Sequence, residues 1–185
     1  MDIQITSNSS VNLVTNPLIS DEADAGYAII VEAAQWLQAC GLPSWCMPRV
    51  LFESRLEQGY FYGAYVGQEL AGVMSLINEY WPTPWSDLLP QSRFLWFSSL
   101  NVARRFAGQG VGTFLLNAAD HIARQKSFEH LFLDCYYGDG ELPAYYKRHG
   151  YIWIERRVNI YDDGIEHDDV LMYKRIPALQ LVSAK

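Results

Sequence analysis

Cysteine is scarce in this chain: Cys40, Cys46 and Cys135 are the only three among 185 residues, odd in number and without a CxxC spacing. That argues against both a disulfide framework and a zinc site, and a reducing cytoplasm is the expected compartment. Positive charge is also in short supply, with 14 Lys and Arg against 21 Asp and Glu and a net charge of −7. Nucleic-acid binding requires clustered cations that neutralise phosphates, so no nucleic-acid partner is expected, whereas an acidic field suits a cationic substrate. No apolar run approaches the ~18 residues of a membrane span. Met1-Asp-Ile-Gln lacks the basic and then apolar start of a signal peptide, so no membrane partner is expected either. His121, His130, His149 and His167 show no metal-ligand spacing, and no metal is expected. Internal repeats and low-complexity stretches are absent.

What is present is the makings of a core: 50% of the residues are hydrophobic and 14% aromatic, in a length that suits one domain. Residues 1–10 are polar and read as a loose lead-in, residues 11–176 as a single domain and 177–185 as a tail. Val11–Thr15 forms a short strand ended by Asn16 and Pro17. A helix begins at Asp21, with Ile29, Ala33, Trp36 and Leu37 on one face, and stops at about Cys40 before Gly41-Leu-Pro43. A second helix starts near Pro48 and runs to Gly59. Tyr60–Val66 and Glu69–Ile77 are aromatic and β-branched, and Gly67-Gln68 between them has the composition of a two-residue hairpin turn. Residues 78–91 hold Trp81, Pro82, Pro84, Trp85 and Pro90, too much proline for a regular element. Arg93–Val102 is a strand of nearly continuous apolar character that suits a sheet interior.

Directly after it stands Val102-Ala-Arg-Arg-Phe-Ala-Gly-Gln-Gly-Val-Gly-Thr-Phe-Leu-Leu116. Gly108, Gly110 and Gly112 lack Cβ atoms, so the turn can adopt unusual dihedrals and let an anion approach backbone N–H groups. The helix that opens there adds unpaired donors and a positive dipole end. Its stripe is Val111, Phe114, Leu115, Ala118 and Ile122. His130–Cys135 is a short strand joined to the previous one through a helix, so the two run parallel in a right-handed crossover. Leu142–His149 is a short helix capped by Gly150. Tyr151–Ile160 and Asp169–Arg175 close the chain as an antiparallel pair around Asp162-Asp-Gly164. Glu166-His-Asp-Asp169 reads as part of a solvated turn.

Gly108-Gln-Gly-Val-Gly-Thr-Phe-Leu-Leu116 resembles the acyl-CoA pyrophosphate loop of the GNAT N-acetyltransferase superfamily. Tyr146-x-x-x-Gly150-Tyr151 resembles that family's tyrosine-bearing helix and the strand after it. The order strand, two helices, three strands, helix, strand, helix, two strands agrees with the family over about residues 11–175. The resemblance implies a mixed α/β fold, a mostly antiparallel sheet with a central splayed parallel strand pair and about four flanking helices. It implies an enzyme that moves acetyl from acetyl-CoA to a primary amine of a small molecule by direct attack in a ternary complex. The alternatives are a protein acceptor, lysine or N-terminal, and a noncatalytic CoA-binding module. The cofactor-binding residues it implies are the main-chain atoms of Leu100 and Val102 and the loop Ala107, Gly108, Gln109, Gly110, Val111, Gly112 and Thr113. Ala107 stands where the family has Arg or Gln, so the loop relies on backbone donors, with Arg104 or Arg105 at its side.

In the chemistry that follows, an amine attacks the thioester carbonyl, a base accepts a proton and a donor stabilises the departing thiolate. Tyr146 is the candidate acid, with Tyr145 expected in the core. Glu79, at the end of the second hairpin strand, is the candidate base. Asp134 and a water chain to bulk solvent are the alternatives. Trp45, the Trp81–Trp85 loop and the closing hairpin are expected to recognise the amine, with Glu79, Asp87 or Asp163 pairing with its charge. A homodimer remains open.

Overall fold

The computed structural model describes residues 3–4, 12–79, 83–91, 93–160 and 166–177. They fall into two compact units, one within Met1–Ile77 and Phe97–Ala118, the other within Asn78–Trp96 and Ala119–Lys185. A strand and a helix run through both.

The first unit is organised on the hairpin. β3 (Phe61–Val66) and β4 (Glu69–Ile77) are antiparallel, with Val66 opposite Glu69 across Gly67-Gln68. Gly67 has φ +61°, the left-handed value such a turn requires. The hairpin is almost entirely buried. β2 (Leu13–Pro17) pairs with β3, and the two-residue β1 (Ile3–Gln4) pairs with β2. The strand order is therefore β1-β2-β3-β4, with β5 next to β4. β2 runs on through Asn16 and Pro17, which lie opposite Gly63 and Tyr62; the proline sits at the very end, where a missing N–H costs least.

Two helices belong to this unit. α1 (Ala23–Ala39) follows a single 3₁₀ turn at Ser20–Glu22 and ends at Cys40, whose N–H bonds to Trp36 and Leu37. Its buried residues are Gly26, Ile29, Ile30 and Ala34, while Trp36 is exposed. The expected face is thus rotated, because Gly26 lets α1 approach closely: a Cβ there would stand 2.7 Å from the Leu18 side chain. α2 (Arg49–Glu57) begins after Pro48 and buries Phe52 and Leu56. Phe52 stacks on Phe61 at 4.7 Å, fixing the helix to the hairpin.

In the second unit the order is β5-β6-β8-β7. β5 (Leu95–Val102) starts here, parallel to β6 (His130–Tyr136), and β6 is antiparallel to β8 (Glu166–Arg175), which pairs with β7 (Ile152–Ile160). The parallel register covers only Leu95–Leu131 and Trp96–Phe132. The fold is thus mixed α/β, mostly antiparallel with one parallel pair. α3 (Val111–Gln125) makes the crossover, and its expected stripe is buried at all five positions. α4 (Glu141–Arg148) opens at Gly140, φ +87°, and closes at Gly150, φ +86°. Asp168 and Asp169 belong to β8 and not to a solvated turn: Asp168 is paired with Arg156, and Asp169 is buried. The Asp162–Gly164 turn and Asp163 lie outside the described residues, as do residues 1–2 and 5–10 of the lead-in, Val11 of the expected first strand, and 178–185 of the tail.

Candidate active site

β5 changes character along its length. Leu95, Trp96 and Phe97 are buried, and Ser98 to Val102 are half-buried. The change coincides with the end of the parallel pairing and with Ser99, which holds φ +54°. A left-handed value is costly for a residue with a side chain. Asn101 stabilises it by donating from Nδ2 to the Ser99 carbonyl at 3.0 Å. Arg93–Val102 is therefore not a sheet-interior strand throughout: the kink leaves Leu100 and Val102 on a half-open stretch. The Gly72 position in β4 lets this stretch come close, since a Cβ there would meet the Asn101 carbonyl at 2.9 Å.

After β5 the chain makes one 3₁₀ turn, Arg104–Phe106, anchored by the buried Phe106. Ala107 N–H donates to the Arg104 carbonyl and Gln109 N–H to the Phe106 carbonyl. Gly108 and Gly110 then take φ +75° and +83°, and no atom lies within 4 Å of where either Cβ would stand. Glycine is needed here for its dihedral and not for space. The Gly110 carbonyl accepts from Phe114 N–H, so Gly110 caps α3. The N–H groups of Gly108, Gly110, Val111 and Gly112 donate to no acceptor among the described residues. Four donors at a helix start, with the positive end of its dipole, suit an anion. Ala107, Gly108, Gln109, Gly110 and Thr113 are exposed, Gly112 half-buried and Val111 buried. The Gln109 side chain turns back to the Arg105 carbonyl at 2.9 Å. Arg105 is paired with Glu69 at 2.7 Å, and Arg104 lies over Trp36 at 3.9 Å. Both guanidinium groups have partners beside the loop.

In the second unit, α4 carries the candidate acid. Tyr146 is buried and Tyr145 half-buried, the reverse of the expected core assignment. Their rings meet edge-on at 5.5 Å, and Tyr146 meets Tyr151 at 5.8 Å. The C-terminal turn of α4 is locked: His149 and Tyr151 N–H both donate to the Tyr146 carbonyl, and Gly150 N–H to that of Lys147. Lys174 Nζ reaches the His149 carbonyl at 2.7 Å and Asp120 of α3 at 2.5 Å. Burial raises the Tyr146 phenol well above its usual value, and the neighbouring Cys135, Tyr145 and Asp134 add to the shift. Burial thus favours the neutral phenol over the phenolate. The Cys135 thiol is pushed up to about 12, chiefly by burial, so it is an inert core group.

The candidate base Glu79 lies two residues past the end of β4 and is exposed. It lines a groove of about 660 Å³ with Asn78, Asp87, Arg93 and Phe94 among others. Asp134 is held more firmly: its Oδ2 accepts from the indole N–H of Trp85 at 3.1 Å. Trp85 is fully buried and so is a positioning group, not a pocket wall. Arg157 pins the segment around it, donating to both Asp87 oxygens at 2.8 Å and to the Pro84 carbonyl at 3.0 Å. Hydrogen bonding to Arg157 holds the Asp87 carboxyl below its usual range. Sequence reasoning missed these pairings, which join residues 49 and 70 positions apart and carry no local signal. Trp81 lies outside the described residues, and Trp45 is exposed on the α1–α2 connection. Among the described residues no group of three or more His, Cys, Asp or Glu is placed to hold a metal ion, and no helix is long and apolar enough to cross a membrane.

A half-open strand running through a left-handed glycine turn into a helix with unbonded amides, beside a short parallel pairing, defines the acyl-CoA N-acyltransferase class of folds. The comparison with known families agrees: residues 30–151 match the Acetyltransferase (GNAT) family model, and the chain belongs to that family. It is similar to an uncharacterized N-acetyltransferase, YesJ, of Bacillus subtilis (strain 168), at 27% identity over 143 residues, covering 73% of this chain and 79% of the relative. Among solved structures it resembles a GNAT-family acetyltransferase of Listeria monocytogenes 4b F2365, with TM-score 0.76 and 18% identity, covering 94% of this chain and 99% of that one. It also resembles the ribosomal-protein-S18-alanine N-acetyltransferase of Escherichia coli, with TM-score 0.68 and 16% identity, covering 94% and 99%. The chain is an acetyl-CoA-dependent acetyltransferase.

Proposed function

We propose that the enzyme transfers acetyl from acetyl-CoA to the primary amine of a small molecule, by direct attack in a ternary complex. The observation that carries this reading is the set of amides of Gly108, Gly110, Val111 and Gly112, unbonded among the described residues, which would receive the CoA diphosphate. The main-chain atoms of Leu100 and Val102 would pair with the pantetheine arm, and Ala107, Gln109 and Thr113 would border the phosphates. Because Ala107 brings no charged side chain, the backbone supplies the donors.

In the reaction the neutral amine adds to the thioester carbonyl, the C–N bond forms and the C–S bond breaks. The amine proton passes to a base, and the departing sulfur takes one from a donor. Tyr146 is assigned the donor role. Its proton is held more tightly than that of a thiol at ~8.5, so it acts by hydrogen bonding to developing charge on sulfur, with transfer late in the step. Glu79 is assigned the base. Asp134 is the second choice, supported by the indole that fixes its carboxylate.

A small acceptor is favoured by the groove beside Glu79 and Asp87: about 660 Å³ is the size of a small-molecule site, and the exposed Glu79 carboxylate suits an ammonium group. A protein amine is the second reading, as in the S18-alanine enzyme among the structural neighbours. Three unpaired thiols, two of them exposed, favour a reducing cytoplasm. The test is thiol release from acetyl-CoA, corrected for hydrolysis, across a panel of small polyamines, amino sugars, amino acids and lysine or N-terminal peptides. Turnover with small amines alone supports the proposal. Turnover with peptides alone moves it to the second reading, and binding without turnover on any amine leaves a noncatalytic CoA-binding module.

A further inference from the structure

The groove beside Glu79 lies within the second unit, and its polar groups are unequally engaged. Asp87 is held at both oxygens by Arg157, at 2.8 Å, and the Ser86 hydroxyl is shared with the Thr83 backbone. A ligand could use either only by displacing a partner it already has. Glu79 and Arg93 differ from them: both are exposed, and among the described residues neither enters an ion pair or a side-chain hydrogen bond. With the Asp87–Arg157 pair closed on itself, the groove offers one anion and one cation, with the side-chain amides of Asn78 and Gln91 also in its lining. Its charge balance is neutral, although the whole chain carries −7. A neutral site with separate positive and negative groups complements a zwitterion better than a polycation.

Arg93 is suited to one kind of anion. Its Cζ lies 4.4 Å from the centroid of the buried Phe128 ring, and the adjacent Phe94 meets Phe132 of β6 edge-on at 5.4 Å. The segment entering β5 is thereby tied down on both residues. Stacking on a ring engages the face of a guanidinium and leaves its in-plane N–H donors, the fork that takes a carboxylate through two parallel bonds.

We propose that the acceptor is an amino acid or a similar amino carboxylate, its amine held by Glu79 and its carboxylate by Arg93. The proposal rests on the reading of this groove as the acceptor site. The acceptor arrives with its nitrogen protonated; Glu79 holds the ammonium and takes the proton that must leave before attack, while Arg93 fixes the other end. An amine without a carboxylate leaves Arg93 unpaired, and a diamine sets a second cation against it. The test is the kinetics of acetyl transfer to three matched series: ω-amino acids from β-alanine to aminohexanoate, their carboxamides, and diamines of the same lengths. At the best chain length the amino acid should have a KM roughly tenfold below that of its carboxamide, the low end for a charge-assisted hydrogen bond because the groove is open. Arg93→Gln should abolish that difference by raising the amino acid KM alone, with acetyl-CoA KM unchanged. Arg93→Lys should restore part of it, and Arg93→Glu should shift the preference to the diamine. Arg175→Gln, an equal loss of charge at an exposed residue outside the groove lining, is the control and should change none of these values. Equal KM values for amino acids and carboxamides overturn the proposal and leave small-amine transfer standing. Loss across all three series in Arg93→Gln, or the same selective loss in Arg175→Gln, also overturns it. Absence of turnover on all three series overturns the small-molecule reading together with it.

Discussion

Alanine in the glycine turn separates the conformational role of the loop from its binding role. At Gly108 and Gly110 an added Cβ touches nothing, yet φ is +75° and +83°. The cost of Gly108→Ala or Gly110→Ala is therefore conformational, ~1–2 kcal/mol for an L-residue held in the left-handed region. In a chain of this length 1 kcal/mol moves Tm by ~2–4 °C, so each variant should melt ~2–8 °C lower. Gly67→Ala in the hairpin is the matched control: φ is +61° and the space is equally open, but no ligand is expected there. It should lose as much stability and no affinity. If strain rotates even one amide off the phosphates, a hydrogen bond to a charged group is lost, worth ~1.5–3 kcal/mol, and affinity falls ~10–100-fold. In a thermal-shift assay with acetyl-CoA at 100 times the wild-type Kd, the wild type gains ~2.7 kcal/mol, read as ~5–11 °C. A variant weakened tenfold gains about half of that. Equal shifts in all three variants and the wild type, or a loss shared by Gly67→Ala, would refute the assignment of the loop as the phosphate cradle.

Tyr146→Phe removes a buried hydroxyl and should lower kcat ~10²-fold or more while changing the KM for acetyl-CoA less than about twofold, as expected of a proton donor; equal losses in kcat and acetyl-CoA affinity would make it a binding residue. Because the Tyr146 and Tyr151 phenols are raised in the fold, the stability of keeping them neutral is complete below pH ~10 and lost as pH rises above it. Urea midpoints should accordingly be flat through neutrality and fall above pH ~10. The Asp87 carboxyl is depressed by Arg157, so its contribution has the opposite sign, present above pH ~4 and lost as pH falls through the lower folded value; the urea-midpoint difference between wild type and Asp87→Asn should close in acid. Cys40 and Cys46 are exposed and Cys135 is buried with its thiol at about 12, so a disulfide-exchange reagent at pH 8 should titrate two thiols in the native protein and three in urea.

The parts of this fold that were legible in the sequence are those whose cause is local. The hairpin was set by Gly67, whose positive φ matches the turn its neighbours require, and β3 and β4 end within a residue of where their composition ends. α3 was legible because its stripe repeats on one face over four turns and all five positions are buried. α1 was misread at the level of its face because the deciding residue is Gly26, which counts as nothing in an apolar pattern but sets the closest approach to Leu18. The pyrophosphate loop lies between these cases. Its glycines announce unusual dihedrals, but only the backbone shows which amides stay unbonded, and the kink at Ser99 that opens β5 has no glycine to mark it. The catalytic side was least legible, since every constraint on it joins distant segments. Lys174 of β8 fixes the end of α4 under Tyr146, and Trp85 aims Asp134 from 49 positions away while itself held by Arg157. Such contacts follow from strand order and from burial, which forces each polar atom to find whatever partner the fold brings near. Acceptor specificity in this enzyme is therefore expected to depend on the Pro84–Asp87 segment as a whole. Trp85→Phe is the substitution that would show this: an aromatic ring stays in place, the indole N–H donated to Asp134 is removed, and amine KM should rise with acetyl-CoA KM unchanged.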